Sequence, residues 1–169
     1  MDESVEQIIK IRQTAGAKVF KGAMIAGAVI AAITIPSTFA LGMIVSVLFI
    51  VAAVVAFRYF NAEYEYDYYE NQLTFARIAS KSNRRDMAKF DVSKTELIAK
   101  KNSQEALRLE RKKLNTVDFT SHGETEDSEI VVLYAYNENN EMERVFFEPN
   151  EKLTAALQRA VPRTAYKLD

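Results

Sequence analysis

From Gly22 to Phe57 the chain carries no charged side chain, a run of 36 residues bounded by Lys21 and Arg58. A helix crossing a bilayer core needs about 20 apolar residues, so the run is too long for one span and is expected to hold two. Pro36 and Ser37 interrupt it where a hairpin would turn, because proline disrupts a continuous helix. The spans are expected at 19–35 and 38–57 of a hairpin covering 19–58, after an N-terminal segment at 1–18. The first span is short: its uncharged part, Gly22 to Ile35, is 14 residues, a length that also suits a re-entrant segment. If Lys18 and Lys21 snorkel to the headgroups, Val19 and Phe20 join the apolar part and make it long enough to cross. A cleaved leader is disfavoured, since Asp2, Glu3 and Glu6 make the N-terminus acidic and a second apolar run follows at once.

Basic residues lie on the outer flanks of the run, Lys10, Arg12, Lys18 and Lys21 before it and Arg58 after it, and the turn carries none. That distribution predicts an inner-membrane hairpin with both termini in the cytoplasm. The chain has no cysteine, which fits a reducing compartment and excludes disulfides and thiolate metal sites. Small residues recur every fourth position at Ala23, Gly27 and Ala31, and again at Gly42 and Ser46, a spacing that lets helix backbones approach. Packing of the two helices on each other accounts for this face more simply than a dimer does. With no titratable group between Gly22 and Phe57, a proton or ion pathway within the hairpin has nothing to work with.

After Arg58 the period changes. In "EYEYDYY" Tyr64, Tyr66 and Tyr68 alternate with Glu63, Glu65 and Asp67, placing the rings on one face of a strand and the carboxylates on the other, towards water. A turn at Glu70-Asn71-Gln72 leads to a strand from Leu73 to Ala79, and Lys81 to Arg85 is expected as a polar turn. Further strands are expected at 87–92, 95–100, 115–121, 130–136 and 142–147, with Asn-rich "NENNE" turning the last pair. Ser103 to Lys113 fits a helix somewhat better than a strand. Pro149 opens a C-terminal helix at about 149–161 with Leu153, Leu157 and Val161 on one face, and Pro162 stops it. At the other end, Ser4 to Arg12 is read as an amphipathic helix start, with Ser4 and Gln7 in a capping-box pattern; a frayed terminus is the equal alternative. The fold class expected is therefore a membrane α-helical hairpin plus an α+β cytoplasmic domain at 59–169. The order of about seven strands and one helix is that of a PH-like (pleckstrin-homology-like) antiparallel β roll, with core positions Tyr66, Phe75, Phe90, Val145, Phe147, Leu153 and Leu157.

The segments "EYEYDYYENQLTFARIASKSNRR", "FDVSKTELIAKK" and "FFEPNEKLTAALQRAVPR" resemble an uncharacterised family of small bacterial membrane proteins, with two spans followed by a cytoplasmic β-rich domain. The likeness covers nearly all of the chain after Arg58 and the span pattern before it. It implies the architecture and brings no activity, catalytic residue or cofactor.

No pattern carries a reaction. There is no Gly-x-Ser-x-Gly elbow, Gly-rich phosphate loop or dinucleotide fingerprint. The single histidine, His122, sits beside Gly123 in an acidic loop with Glu124, Glu126 and Asp127, and reads as solvated rather than metal-binding. No enzyme activity, cofactor, metal or small-molecule substrate is expected. Lys81, Arg84, Arg85 and Lys89 form the densest basic group and are the candidate contact for anionic headgroups, with Lys100 and Lys101 nearby. Arg108, Arg111, Lys112 and Lys113 form a second basic stretch, but no nucleic-acid motif accompanies it. The expected role is a membrane-anchored scaffold or accessory subunit whose partners are membrane lipids and a membrane protein or a second copy; the alternative is a peripheral sensor of anionic lipid.

Overall fold

A computed structural model describes residues 4–12, 15–38, 40–60, 62–79, 83–122 and 129–168. The strands are β1 (Val5–Lys10), β2 (Ala62–Tyr69), β3 (Gln72–Ala79), β4 (Asn83–Asp91), β5 (Leu97–Lys100), β6 (Asn115–Asp118), β7 (Val131–Tyr136), β8 (Met142–Phe147) and β9 (Tyr166–Lys167). The helices are α1 (Ala15–Thr38), α2 (Ala40–Phe60), α3 (Gln104–Glu110) and α4 (Glu151–Ala160). Two compact units result: a β unit built from residues 1–11 and 63–169, and a helical unit from Arg12 to Ala62.

The β unit contains one sheet in the order β1-β2-β3-β4 and a second in the order β6-β8-β7-β5-β9. The expected N-terminal helix is a strand instead. β1 pairs antiparallel with β2 from Val5↔Tyr68 to Lys10↔Glu63. Its burial alternates, with Val5, Gln7 and Ile9 half-covered and Glu6, Ile8 and Lys10 exposed. Six residues holding Val and Ile satisfy either period, and the free edge of β2 decides between them. The second sheet is mixed rather than purely antiparallel, because β5 pairs parallel with β9, and β6 with β8.

Between β2 and β3 the turn is two residues, Glu70 and Asn71, both with positive φ, as a tight hairpin needs. The core gathers the inner faces of both sheets with α4. Phe75 stacks on Phe119 with centroids 4.6 Å apart and meets Tyr66, Phe90 and Phe147 edge-on. All seven expected core residues are buried. The hydroxyl of Tyr66 donates to the Phe119 carbonyl at 2.6 Å, so its ring can be wholly interior without stranding a polar group. Asn150 caps α4 by accepting from the Leu153 amide at 2.9 Å, and Leu153, Ala156 and Leu157 point into the core. On the other face of the second sheet, Ala106 of α3 packs with Leu97, Ala99, Val132 and Tyr134. Ser103 caps that helix, which settles the region in favour of a helix.

In the helical unit α1 continues through Pro36 to Thr38 rather than ending before the proline. The helices pack on each other where Gly27 faces Phe49; a Cβ at Gly27 would lie 2.5 Å from that ring. Much of the remaining surface is apolar and exposed, including Val19, Ile30 and Ile33 on α1 and Leu48, Val51 and Val55 on α2. Among the described residues one stretch, Ala15–Ile33, is long and apolar enough to cross a membrane, and Gly42–Ala56 of α2 is a shorter apolar stretch.

Candidate functional site

Of the four residues expected to form a basic turn, Lys81 lies outside the described residues. Arg84, Arg85 and Lys89 all belong to β4 rather than to a turn. The register of β3 and β4 shifts after Phe75↔Ala88, so that Ala76 faces Asp86 and Met87 is the extra residue. Such a bulge reverses which residues face inward. Ala88 and Phe90 therefore meet the core, while Arg84 and Asp86, of the same parity, turn to the outer face.

There Arg84 meets the carboxylates expected to face water. Its Nε donates to Glu65 at 2.5 Å, and its other nitrogens lie 3.0 Å from Asp86 and 3.6 Å from Asp67. The hydrogen bond to Glu65 is the chief reason the guanidinium's pKa is raised further, burial opposing it. Glu65 is consequently buried, not solvated. Across the β1 edge, Glu6 hydrogen-bonds Glu65, and that bond and the repulsion from Glu65 raise the Glu6 pKa. The outer face is thus a local charge network rather than a free basic patch. Arg85 takes the opposite face, level with Arg77. Lys89 stands exposed at a cavity lined also by Gln72, Asp91 and Lys94, where Lys94 pairs with Asp91 at 3.2 Å. Hydrogen bonds from Ser93 lead the causes that hold the Asp91 carboxyl below its usual range.

Sequence reasoning missed a polar bracket between β1 and the start of α4. The Gln7 amide donates to the Glu148 carbonyl at 2.7 Å and accepts from the Asn150 amide at 2.8 Å. The Glu148 side chain in turn accepts from the amide and the hydroxyl of Ser121, each at 3.0 Å. A lone glutamine gives no signal of this; only the pairing of β1 brings it to a turn 141 residues away.

Of the expected small-residue face, Ala31, Gly42 and Ser46 are buried and Gly27 is half-covered against Phe49, whereas Ala23 is exposed. The Ser46 hydroxyl is satisfied within its helix by the Gly42 carbonyl at 2.8 Å. His122 is exposed, 3.9 Å from an Asp118 oxygen; Glu124, Glu126 and Asp127 lie outside the described residues. Among the described residues no group of three or more His, Asp or Glu is placed to share a metal ion.

Residues 1–167 match the bacterial PH-like domain family (DUF6106). The chain belongs to that family. The match takes in β1, the helix pair and the β unit together, and it makes the fold PH-like and α+β. Curated proteins and solved structures returned no match.

Proposed function

We propose that this protein is a membrane-anchored, non-enzymatic interaction module, a scaffold or accessory subunit of a complex in the bacterial inner membrane. In this reading α1 and α2 form a two-span hairpin, both termini are cytoplasmic, and the PH-like unit presents a surface to a membrane-protein partner or a second copy. The observation that carries the proposal is the apolar, exposed outer surface of the helix pair within a chain that also holds a PH-like β unit. Apolar surface of that extent calls for a lipid or protein environment. The basic flanks from Lys10 to Lys21 and at Arg58 support the cytoplasmic orientation.

Recognition of anionic headgroups through Lys81, Arg84, Arg85 and Lys89 is the weaker reading, because the Arg84 charge is already shared among Glu65, Asp67 and Asp86. Cross-linking in native membranes, followed by capture and mass spectrometry, tests the proposal. The full chain is compared with one whose residues 19–57 are replaced by an unrelated two-span hairpin. A stoichiometric protein partner is expected with the full chain. Its retention by the second protein assigns recognition to the β unit, and its loss assigns recognition to the helices. Recovery of no partner by either would end the scaffold reading.

A further inference from the structure

Among the described residues the β unit has four sheet edges, formed by β1 and β4 in one sheet and by β6 and β9 in the other. A free edge is a row of unpaired N–H and C=O groups that invites another strand, and proteins ordinarily guard it by shortness, charge or a bulge. Three of the four are guarded. β9 has two residues and β6 has four, while β4 is bulged at Met87 and carries Arg84, Arg85, Asp86 and Lys89. β1 is regular over all six of its residues, pairs with β2 without a register shift and holds no proline. Among the described residues, no backbone group of β1 finds a backbone partner other than β2. At the centre of its outer face Ile8 is 52% exposed.

That outer face reads Glu6, Ile8, Lys10, and it is self-complementary when two copies run antiparallel. A two-fold axis at Ile8 sets Ile8 against Ile8 and Glu6 against Lys10 in both directions, the isologous contact that a two-fold dimer requires. An axis at Gln7 would oppose Glu6 and Ile8, and one at Ile9 would oppose Ile8 and Lys10. The charges beside the edge favour the same axis. Glu6 faces Asp67 across the β1–β2 pair and has Glu65 diagonally beside it, and like charges so placed repel. Lys10 faces Glu63. With the axis at Ile8, each Lys10 stands between Glu63 of its own chain and Glu6 of the second copy, so opposite charges alternate across the joined face. The crowding of Glu6 is then a property of the separated chain.

Resting on the interaction-module reading above, and naming one partner within it, we infer that the free edge of β1 pairs antiparallel with β1 of a second copy about Ile8. The two four-stranded sheets become one continuous sheet.

The chain has no cysteine, so single cysteines in the full-length protein report the contact. Facing residues of an antiparallel pair have Cα atoms about 4.5–5.5 Å apart, within the span of about 4.4–6.8 Å that a disulfide bridges. Ile8→Cys is expected to give a covalent dimer when membranes holding the protein are oxidised with copper–phenanthroline. Met87→Cys, equally exposed at 52% on the β4 edge, is expected to remain monomeric. Glu6→Cys and Lys10→Cys should each remain monomeric alone and link to each other when co-expressed, because four residues at about 3.4 Å each set like positions about 14 Å apart. In detergent the natural chain should have the mass of a dimer, Lys10→Glu should shift it towards monomer, and Glu6→Lys combined with Lys10→Glu should restore it. Linking of Ile8→Cys no faster than that of Met87→Cys, or of Glu6→Cys to itself, would overturn the inference. A monomeric chain that still captures a different protein in the cross-linking experiment above overturns this contact and leaves the module reading standing, whereas a monomer that captures none ends both.

Discussion

Replacing Tyr66 by Phe isolates what one buried hydroxyl contributes to the β unit. The ring is fully buried, with Phe75 and Phe147 edge-on at 5.2 and 5.7 Å, and the substitution keeps those contacts. What it removes is a donor to the Phe119 carbonyl at 2.6 Å and an acceptor for the Glu148 amide at 3.3 Å. Leaving a buried polar group without a partner costs about 1–3 kcal/mol. The first bond is short and interior and the second long and half-exposed, so the loss should be about 2 kcal/mol, near the middle of that range. Tyr69→Phe is the control: its ring is exposed, and a surface change of this kind stays within about 0.5 kcal/mol. Urea unfolding of the detergent-solubilised protein, followed by the tyrosine signal in near-ultraviolet circular dichroism, measures both. A loss for Tyr66→Phe no larger than that for Tyr69→Phe would refute the assignment of the two bonds.

The same group sets a sign for pH. Burial, the leading cause, raises the Tyr66 pKa above its ordinary value of 10.0. A raised folded-state pKa gives stability that is intact below the unfolded value and is lost as pH climbs through the folded one. Alkaline destabilisation should therefore begin above about pH 10 and be smaller in Tyr66→Phe than in the natural protein.

Three further outcomes follow from the geometry. Gln7→Ala should cost about 1–2 kcal/mol locally, read as faster amide exchange at Asn150, whose N–H loses its acceptor; unchanged exchange there would contradict the bracket. Gly27→Leu should destabilise the helix pair by about 1–3 kcal/mol through overpacking, because a Cβ already lies 2.5 Å from the Phe49 ring, whereas Gly22→Leu meets nothing within 4 Å; equal thermal unfolding of the two would count against the Gly27 contact. Glu6→Gln should stabilise the β1–β2 edge at neutral pH, with the gain disappearing as pH falls below the unfolded Glu value of 4.5. The raised Glu6 pKa means that the folded state favours the protonated acid, so removing the charge helps where the natural residue is ionised. Denaturant midpoints across pH 3–8 would test this, and a gain independent of pH would contradict it.

Local chemistry makes much of the fold legible in the sequence. The alternation from Glu63 to Tyr69, the turn after it, the C-terminal helix and the charge-free stretch all depend on near neighbours, although the structure trims that turn to Glu70 and Asn71 and places the helix cap at Asn150 rather than Pro149. Their periodicity and turn preferences are written in short segments. The interior positions follow because a strand or helix with one apolar face can bury only that face.

Three features depend on contacts between distant parts of the chain. Ser4 to Lys10 suits a helix or a strand, and pairing with β2 from the far side of the apolar run selects the strand. Arg84 reads as a free cation in a basic cluster, but the extra residue at Met87 turns it towards Glu65. The apolar run gives no sign of where its two ends lie relative to each other, and the partnership of Lys10 with Glu63 brings them together. By itself the sequence determined the apolar run, the patterned strands and the core-facing residues, since these express local spacing. Tertiary structure alone decided the identity of β1, the partner of Arg84 and the return of the chain beside its point of departure, because register between strands is a property of two segments at once.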